Sequence, residues 1–141
     1  MKKVQCATKA LIVKDGKFLV FKRKVGEKIF TDIPGGRMEY GLSPEENLLR
    51  EIKEELDMNV EIEKIVGIWY FFREVDNIQI ICITYLCKPL NEEINIKKNP
   101  DKDENIVEYM WLTPEEFLEL ETDHFNGIET LKKLVKDCFR I

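Results

Sequence analysis

Three carboxylates, Glu51, Glu54 and Glu55, crowd into the run Arg50-Glu51-Ile52-Lys53-Glu54-Glu55-Leu56. If this run is helical, offsets of three and four residues put the three side chains on neighbouring positions of one face. Like charges that close repel one another unless something cationic sits among them. Oxygen-only clusters suit hard cations such as Mg²⁺, which reach a protein through a few carboxylates and substrate phosphates. The competing reading is a solvated acidic face, since 35% of the chain is charged. Just upstream stands a glycine turn, Pro34-Gly35-Gly36-Arg37-Met38-Glu39, where backbone can approach a ligand closely.

The elements around this run are announced by local chemistry. Ser43 is a good N-cap, Pro44 suits the first helical position, and Glu46 completes a capping box. Leu48, Leu49, Ile52 and Leu56 fall within about 100° on a helical wheel, and the glutamates form an arc about 120° away. The helix can therefore pack leucines on a sheet while turning glutamates into a cleft. Cys6 to Val13 and Phe18 to Phe21 read as strands joined at Asp15-Gly16, a strong hairpin signal. Ile29 to Ile33 leads into the glycine turn. Val60 to Glu74 and Asn77 to Leu86 read as a second hairpin, and Lys88 to Asp103 as a long polar loop. Ile106 to Leu112 is a last strand. Thr113-Pro114-Glu115-Glu116 starts a short helix to about Leu120. Asn126-Gly127 caps a terminal helix that buries Leu131, Leu134, Val135 and Cys138. The order β-β-α-β-β-β-α-α predicts an α/β sandwich, a mixed sheet between helices.

Composition narrows the class. A chain of 141 residues with 44% hydrophobic content is expected to form one domain, residues 1–141, with one ordinary core. No stretch approaches the roughly 18 apolar residues of a membrane span. The N-terminus, Met1-Lys2-Lys3-Val4-Gln5, shows no leader pattern, so the expected location is cytoplasmic. The four cysteines lack zinc-site spacing, and one histidine, His124, makes neither a zinc site nor a histidine triad attractive. A net charge of −5 disfavours long nucleic acid as partner. It leaves room for a small phosphorylated substrate bridged to acidic residues by a metal ion.

Gly36, Arg50, Glu51, Ile52, Glu54, Glu55 and Met58 closely resemble the signature box of the Nudix hydrolases, G-x5-E-x7-R-E-U-x-E-E-x-G-U with U bulky and apolar. Seven of its nine specified positions match; Leu42 replaces a glutamate and Asp57 a glycine. Gly35 and Glu39 fit the Gly-Gly-x-x-Glu opening frequent in that family. The resemblance implies the family's α/β/α sandwich over the whole chain. It implies Mg²⁺-dependent hydrolysis, with Mn²⁺ as a substitute, of a nucleoside diphosphate linked to another group X. Glu51, Glu54 and Glu55 are then metal ligands and catalytic residues, and the Gly35 carbonyl can add a ligand. Arg50 is a strut for a box glutamate or a phosphate contact.

Gly36 and Arg37 are expected on the substrate side. The resemblance makes Glu108, or Glu104 or Asp103 before it, a late metal ligand or base, against a plain strand residue facing solvent for Glu108. The general base is a box glutamate or a residue in the loop from Lys88 to Asn105. Phe30, Trp69, Phe71 and Phe125 are stacking candidates against plain core packing. Asp123, His124 and Asn126 read a base edge or simply form a turn and cap. Arg23 and Lys24 hold phosphates or form a solvated basic strand end. Asp57 tolerates the left-handed conformation a glycine would supply, and metal binding is expected to survive Leu42.

Some subfamilies place a proline or tyrosine about 15 to 18 residues beyond the box. Here that window reads Arg73-Glu74-Val75-Asp76, which disfavours ADP-ribose and dinucleoside polyphosphates. A (d)NTP pyrophosphohydrolase fits best. The alternatives are a nucleotide-binding or regulatory domain with weakened catalysis, and a hydrolase of a non-nucleoside diphosphate or ADP-ribose. Family members often form homodimers, and nothing in the chain declares an interface.

Overall fold

The computed structural model describes residues 1–91, 93–94, 105–121 and 127–141. Its elements run β1 (Lys3–Lys14), β2 (Lys17–Val25), β3 (Lys28–Asp32), β4 (Gly35–Arg37), α1 (Pro44–Leu56), β5 (Val60–Arg73), β6 (Ile78–Pro89), β7 (Asn105–Leu112), α2 (Pro114–Leu118) and α3 (Gly127–Phe139). The sheet is mixed, in the order β3-β2-β1-β6-β5, with β4 also on β1 and β7 also on β2. β1 lies parallel to β6 from Lys3↔Ile78 to Ile12↔Cys87, and β4 runs antiparallel to β1. Helices cover both faces, the expected α/β sandwich.

The hairpin signals act through backbone geometry. Asp15 and Gly16 both take positive φ, 53° and 76°, the pair of angles a tight two-residue turn needs between twisted strands. Asn77, at φ 56°, closes the turn between β5 and β6.

Alternation along the strands sends side chains to two apolar layers. On one face Ala10, Ile12, Leu19, Phe21, Tyr85 and Cys87 pack against Leu48, Ile52 and Leu56 of α1. On the other, Leu11, Phe18, Val20, Trp69 and Cys82 pack against Phe117 of α2 and Leu131, Leu134 and Val135 of α3. Among the described residues no helix is long and apolar enough to cross a membrane.

Three expectations are corrected. β3 and β4 are strands beyond those expected. β4 is three residues long and carries no apolar alternation, so only its pairing with β1 reveals it. Leu49 is 43% exposed, whereas Asn47 and Glu51 lie on the buried stripe of α1. That stripe meets apolar strands at its C-terminal end but the polar glycine strand at its start. Finally, β6 runs to Pro89, into the segment read as loop. The loop's later part, the Asn126 cap, and the candidates Asp103, Glu104, Asp123, His124 and Phe125 lie outside the described residues.

Candidate functional site

β4 and α1 meet at the Gly-Gly pair. Gly35 has φ 135°, and a Cβ there would collide with the Thr8 carbonyl of β1 and come within 2.8 Å of the Lys9 Cα. A Cβ on Gly36 would fall on the Glu51 carboxylate, 2.8 Å from Oε1. The two glycines thus let β4 press against β1 and let α1 bring a carboxylate against β4.

α1 is held in place at its start. The Ser43 hydroxyl accepts from the Glu46 N–H, and the Glu46 carboxylate accepts from the Ser43 N–H, both at 3.1 Å. Asn47 clamps the first turn to the sheet: its amide donates to the Thr8 hydroxyl at 2.9 Å and to the Gly36 carbonyl at 3.3 Å. Its oxygen accepts from the Glu39 N–H and from Arg50. Asp57, in the left-handed region at φ 53°, ends the helix and donates its N–H to the Lys53 carbonyl. It takes the conformation for which the resembled box specifies glycine.

The carboxylates are ordered by two arginines. Arg50 reaches Glu51 and Glu54, each at 3.0 Å, and Glu39 at 3.5 Å. Partial burial works against its charge, but Glu54, Glu51 and Glu39 outweigh that and hold the guanidinium firmly cationic. Glu55 accepts from Arg23 at 2.6 Å through one oxygen and from the Gly35 N–H at 3.0 Å through the other. Arg23 in turn donates its Nε to Asp32 at 2.9 Å, and Lys9 reaches both oxygens of Asp32, at 2.9 and 3.1 Å. Burial alone would raise the Asp32 carboxyl, yet Lys9 and Arg23 more than offset it and keep it below the ordinary carboxylate range. Lys9 is the mirror case: burial lowers it, and Asp32 brings it above the usual lysine range.

These groups open onto one cavity of about 590 Å³. Its walls include Gly35, Gly36, Glu39, Arg50, Glu51, Glu54 and Glu55, all singled out by motif, and Arg37 beside them. Lys9, Arg23, Asp32, Arg73, Asp76 and Phe71 also line it. Arg37 stands 3.8 Å from Asp76, which also pairs with Arg73 at 3.1 Å. Among the described residues no three acidic, histidine or cysteine side chains converge on a single point as in a preformed metal cluster. The three box glutamates instead line a common wall, each turned toward a guanidinium.

Other candidates stand elsewhere. Glu108 is exposed on β7 opposite Lys22 and does not line the cavity. Phe30 is buried, pairs across β2–β3 with Arg23, and likewise stays out of the cavity. Trp69 is a core residue, stacked on Phe71 at 5.5 Å. Leu42 is half-buried outside the cavity wall.

Arg23, read as a phosphate contact or part of a solvated basic strand end, is only 5% exposed and lines the cavity. Lys9, Asp32 and Asn47 were not singled out by sequence. Each is a polar residue on an otherwise apolar stripe, and that is the signal that could have found them.

Comparison with known proteins agrees with this fold. The NUDIX domain family model matches residues 5–134. A nucleoside triphosphatase NudI of Escherichia coli is 29% identical, over 77% of this chain and 81% of that protein. An ADP-ribose pyrophosphatase of Bacillus subtilis is 32% identical over 77% of this chain, which spans 58% of that protein. A MutT protein crystal structure from Methanosarcina mazei shares the fold, with a TM-score of 0.80 and 22% identity over 99% of this chain and 95% of that one. With the box laid out on a glycine strand and the helix that follows it, and a family match over nearly all its length, this chain belongs to the Nudix hydrolase family.

Proposed function

We propose that this enzyme hydrolyses a nucleoside diphosphate linked to X, with (d)NTPs as substrates and a nucleoside monophosphate and pyrophosphate as products. The observation that carries the reading is one cavity lined by both the box glutamates and arginines. Glu51, Glu54 and Glu55 face it from α1, and Arg37 and Arg73 line it too. Phosphates are drawn to guanidinium forks, while the carboxylates would repel them without a cation between. The donor set is all oxygen, which fits a hard divalent ion. Glu51, Glu54, Glu55 and the Gly35 carbonyl would hold Mg²⁺, or Mn²⁺ in its place. Such an ion neutralises phosphate charge and activates water.

The chain's own groups do the remaining work. Arg50 ties Glu51 and Glu54 into one array. Arg37 is exposed enough to turn from Asp76 toward a phosphate oxygen. Water adds to a phosphorus, the phosphoanhydride bridge breaks, and the proton leaves toward a carboxylate. A cavity this size encloses a nucleotide, and with a net charge of −5 the partner is small rather than a duplex.

A second reading, ADP-ribose as substrate, is favoured by the similarity to the B. subtilis pyrophosphatase. The test follows nucleoside monophosphate formation by chromatography with Mg²⁺ from standard and oxidised (d)NTPs, ADP-ribose, dinucleoside polyphosphates and nucleotide sugars, with pyrophosphate release read beside it for the (d)NTPs. Glu54→Gln and Glu55→Gln are run beside the wild type. Pyrophosphate release from (d)NTPs that falls ~100-fold or more in both variants is expected. Turnover of ADP-ribose alone selects the second reading. No turnover by the wild type with Mg²⁺ or Mn²⁺ leaves a nucleotide-binding domain.

A further inference from the structure

Four side chains from four elements form a line of alternating charge: Lys9 of β1, Asp32 of β3, Arg23 of β2 and Glu55 of α1. Three of them, Lys9, Asp32 and Arg23, are 5%, 2% and 5% exposed. None of these three belongs to the box. We propose that Arg23 is the positioning residue for Glu55, and that Lys9 and Asp32 exist to aim it. The inference rests on Glu55 being a cation ligand.

The geometry runs in one direction. A guanidinium is planar, so fixing one N–H fixes the others. Asp32 takes the Arg23 Nε at 2.9 Å, and Nη2 then meets Glu55 at 2.6 Å. Asp32 cannot drift, because Lys9 grips both its oxygens and the Ile33 N–H donates to it at 2.8 Å. With Gly35 donating to the other Glu55 oxygen, the plane of that carboxylate is set from two sides. Each oxygen carries two lone pairs, so one on each stays available to the cavity. Lys9 also balances the charge: two cations and two anions are buried together, where Asp32, Arg23 and Glu55 alone would leave one negative charge in excess.

A purely structural strut would tie β1, β2 and β3 to α1 and matter only to stability. Two variants separate the readings. Arg23→Lys keeps the charge but, as a point donor, cannot hold Asp32 and Glu55 in one plane. The double variant Lys9→Met with Asp32→Leu removes a cation and an anion together, leaving Arg23 and Glu55 as the remaining pair, and takes away the oxygen that accepts from the Arg23 Nε. Glu55→Gln is the reference.

Mn²⁺ affinity is read by electron paramagnetic resonance without substrate. kcat and KM are read on the best substrate, and folding by thermal unfolding. The expected result is a loss of ~10–100-fold in Mn²⁺ affinity and in kcat for both variants, the usual cost of removing a group that orients a metal ligand. KM should stay nearly constant. Loss of thermal stability with Mn²⁺ affinity and kcat intact would make the array a strut and overturn the proposal, as would failure of both variants to fold. A raised KM at unchanged kcat would overturn it too, because Arg23 would then meet substrate itself. If Glu55→Gln binds Mn²⁺ and turns over like wild type, the reading of Glu55 has failed. If it loses both while the other two variants keep them, only the positioning inference has failed.

Discussion

Gly36 and Glu51 occupy one another's space so closely that the pair acts as a single structural unit. A Cβ on Gly36 would lie 2.8 Å from the Glu51 Oε1, and Glu51 is only 5% exposed. The carboxylate has nowhere buried to go, so Gly36→Ala should swing it off Arg50. The expected cost is about 1–3 kcal/mol, that of upsetting a buried polar group's hydrogen bonds, with Mn²⁺ binding weakened ~10-fold or more. Urea unfolding and a Mn²⁺ titration measure the two effects, and an unchanged titration would show that Glu51 is no ligand. The glycines and glutamates were legible through their resemblance to the Nudix box because they sit on one contiguous stretch; by spacing alone a solvated acidic face competed. Lys9 and Asp32 were not, and Arg23 was read only as a phosphate contact or a solvated strand end, because their pairing lies with partners far along the chain. Asp32 is 23 residues from Lys9, and Glu55 is 32 from Arg23. A lone cation on a strand reads as solvated until the fold supplies its counter-ion.

At the scale of the element, α1 is specified at both ends by its own residues and in the middle by its neighbours. The reciprocal Ser43–Glu46 bonds start it, and the left-handed Asp57 stops it. Ser43→Ala removes one acceptor from the first turn and should lower stability by about 1 kcal/mol in chemical denaturation. Asn47, which grips Thr8 and Gly36 independently of the cap, should keep the box in place. A fall in Mn²⁺ affinity as large as that of Gly36→Ala would contradict this division. The caps and both hairpins were readable because their chemistry is local. The facing of α1 was not: the wheel grouped Leu49 with Leu48, Ile52 and Leu56, yet Leu49 is 43% exposed while Asn47 is fully buried. Hydropathy ranks the leucine inward, but the start of α1 packs on a glycine strand whose exposed carbonyls and N–H groups call for a polar partner. β4 itself, three residues with two glycines, is a strand solely because β1 lies beside it.

The whole molecule is two apolar layers on either side of a shared sheet, and β6 contributes a cysteine to each. Cys82 points into the layer under α2 and α3, and Cys87 into the layer under α1. Both are almost inaccessible, and burial pushes each thiol up to about 12. Thiolate is the reactive form, so near pH 8 both should resist iodoacetamide for two reasons at once, burial and protonation. Cys6 and Cys138 are half-buried and lie nearer the surface. Labelling of the native protein should therefore be confined to Cys6 and Cys138, with Cys82 and Cys87 reached only through opening. β1 and β6 are paired from Lys3↔Ile78 to Ile12↔Cys87, and their opposite faces build the two layers. Neither layer can open without disturbing strands that the other needs. Labelling of Cys82 and Cys87, followed by mass spectrometry across a urea series, should then rise together and track global unfolding. Earlier labelling of Cys87 would mean that α1, and with it the box glutamates, detaches as a separate unit. The site would then be carried by a mobile helix, and the buried line from Lys9 to Glu55 would be the first bond to break.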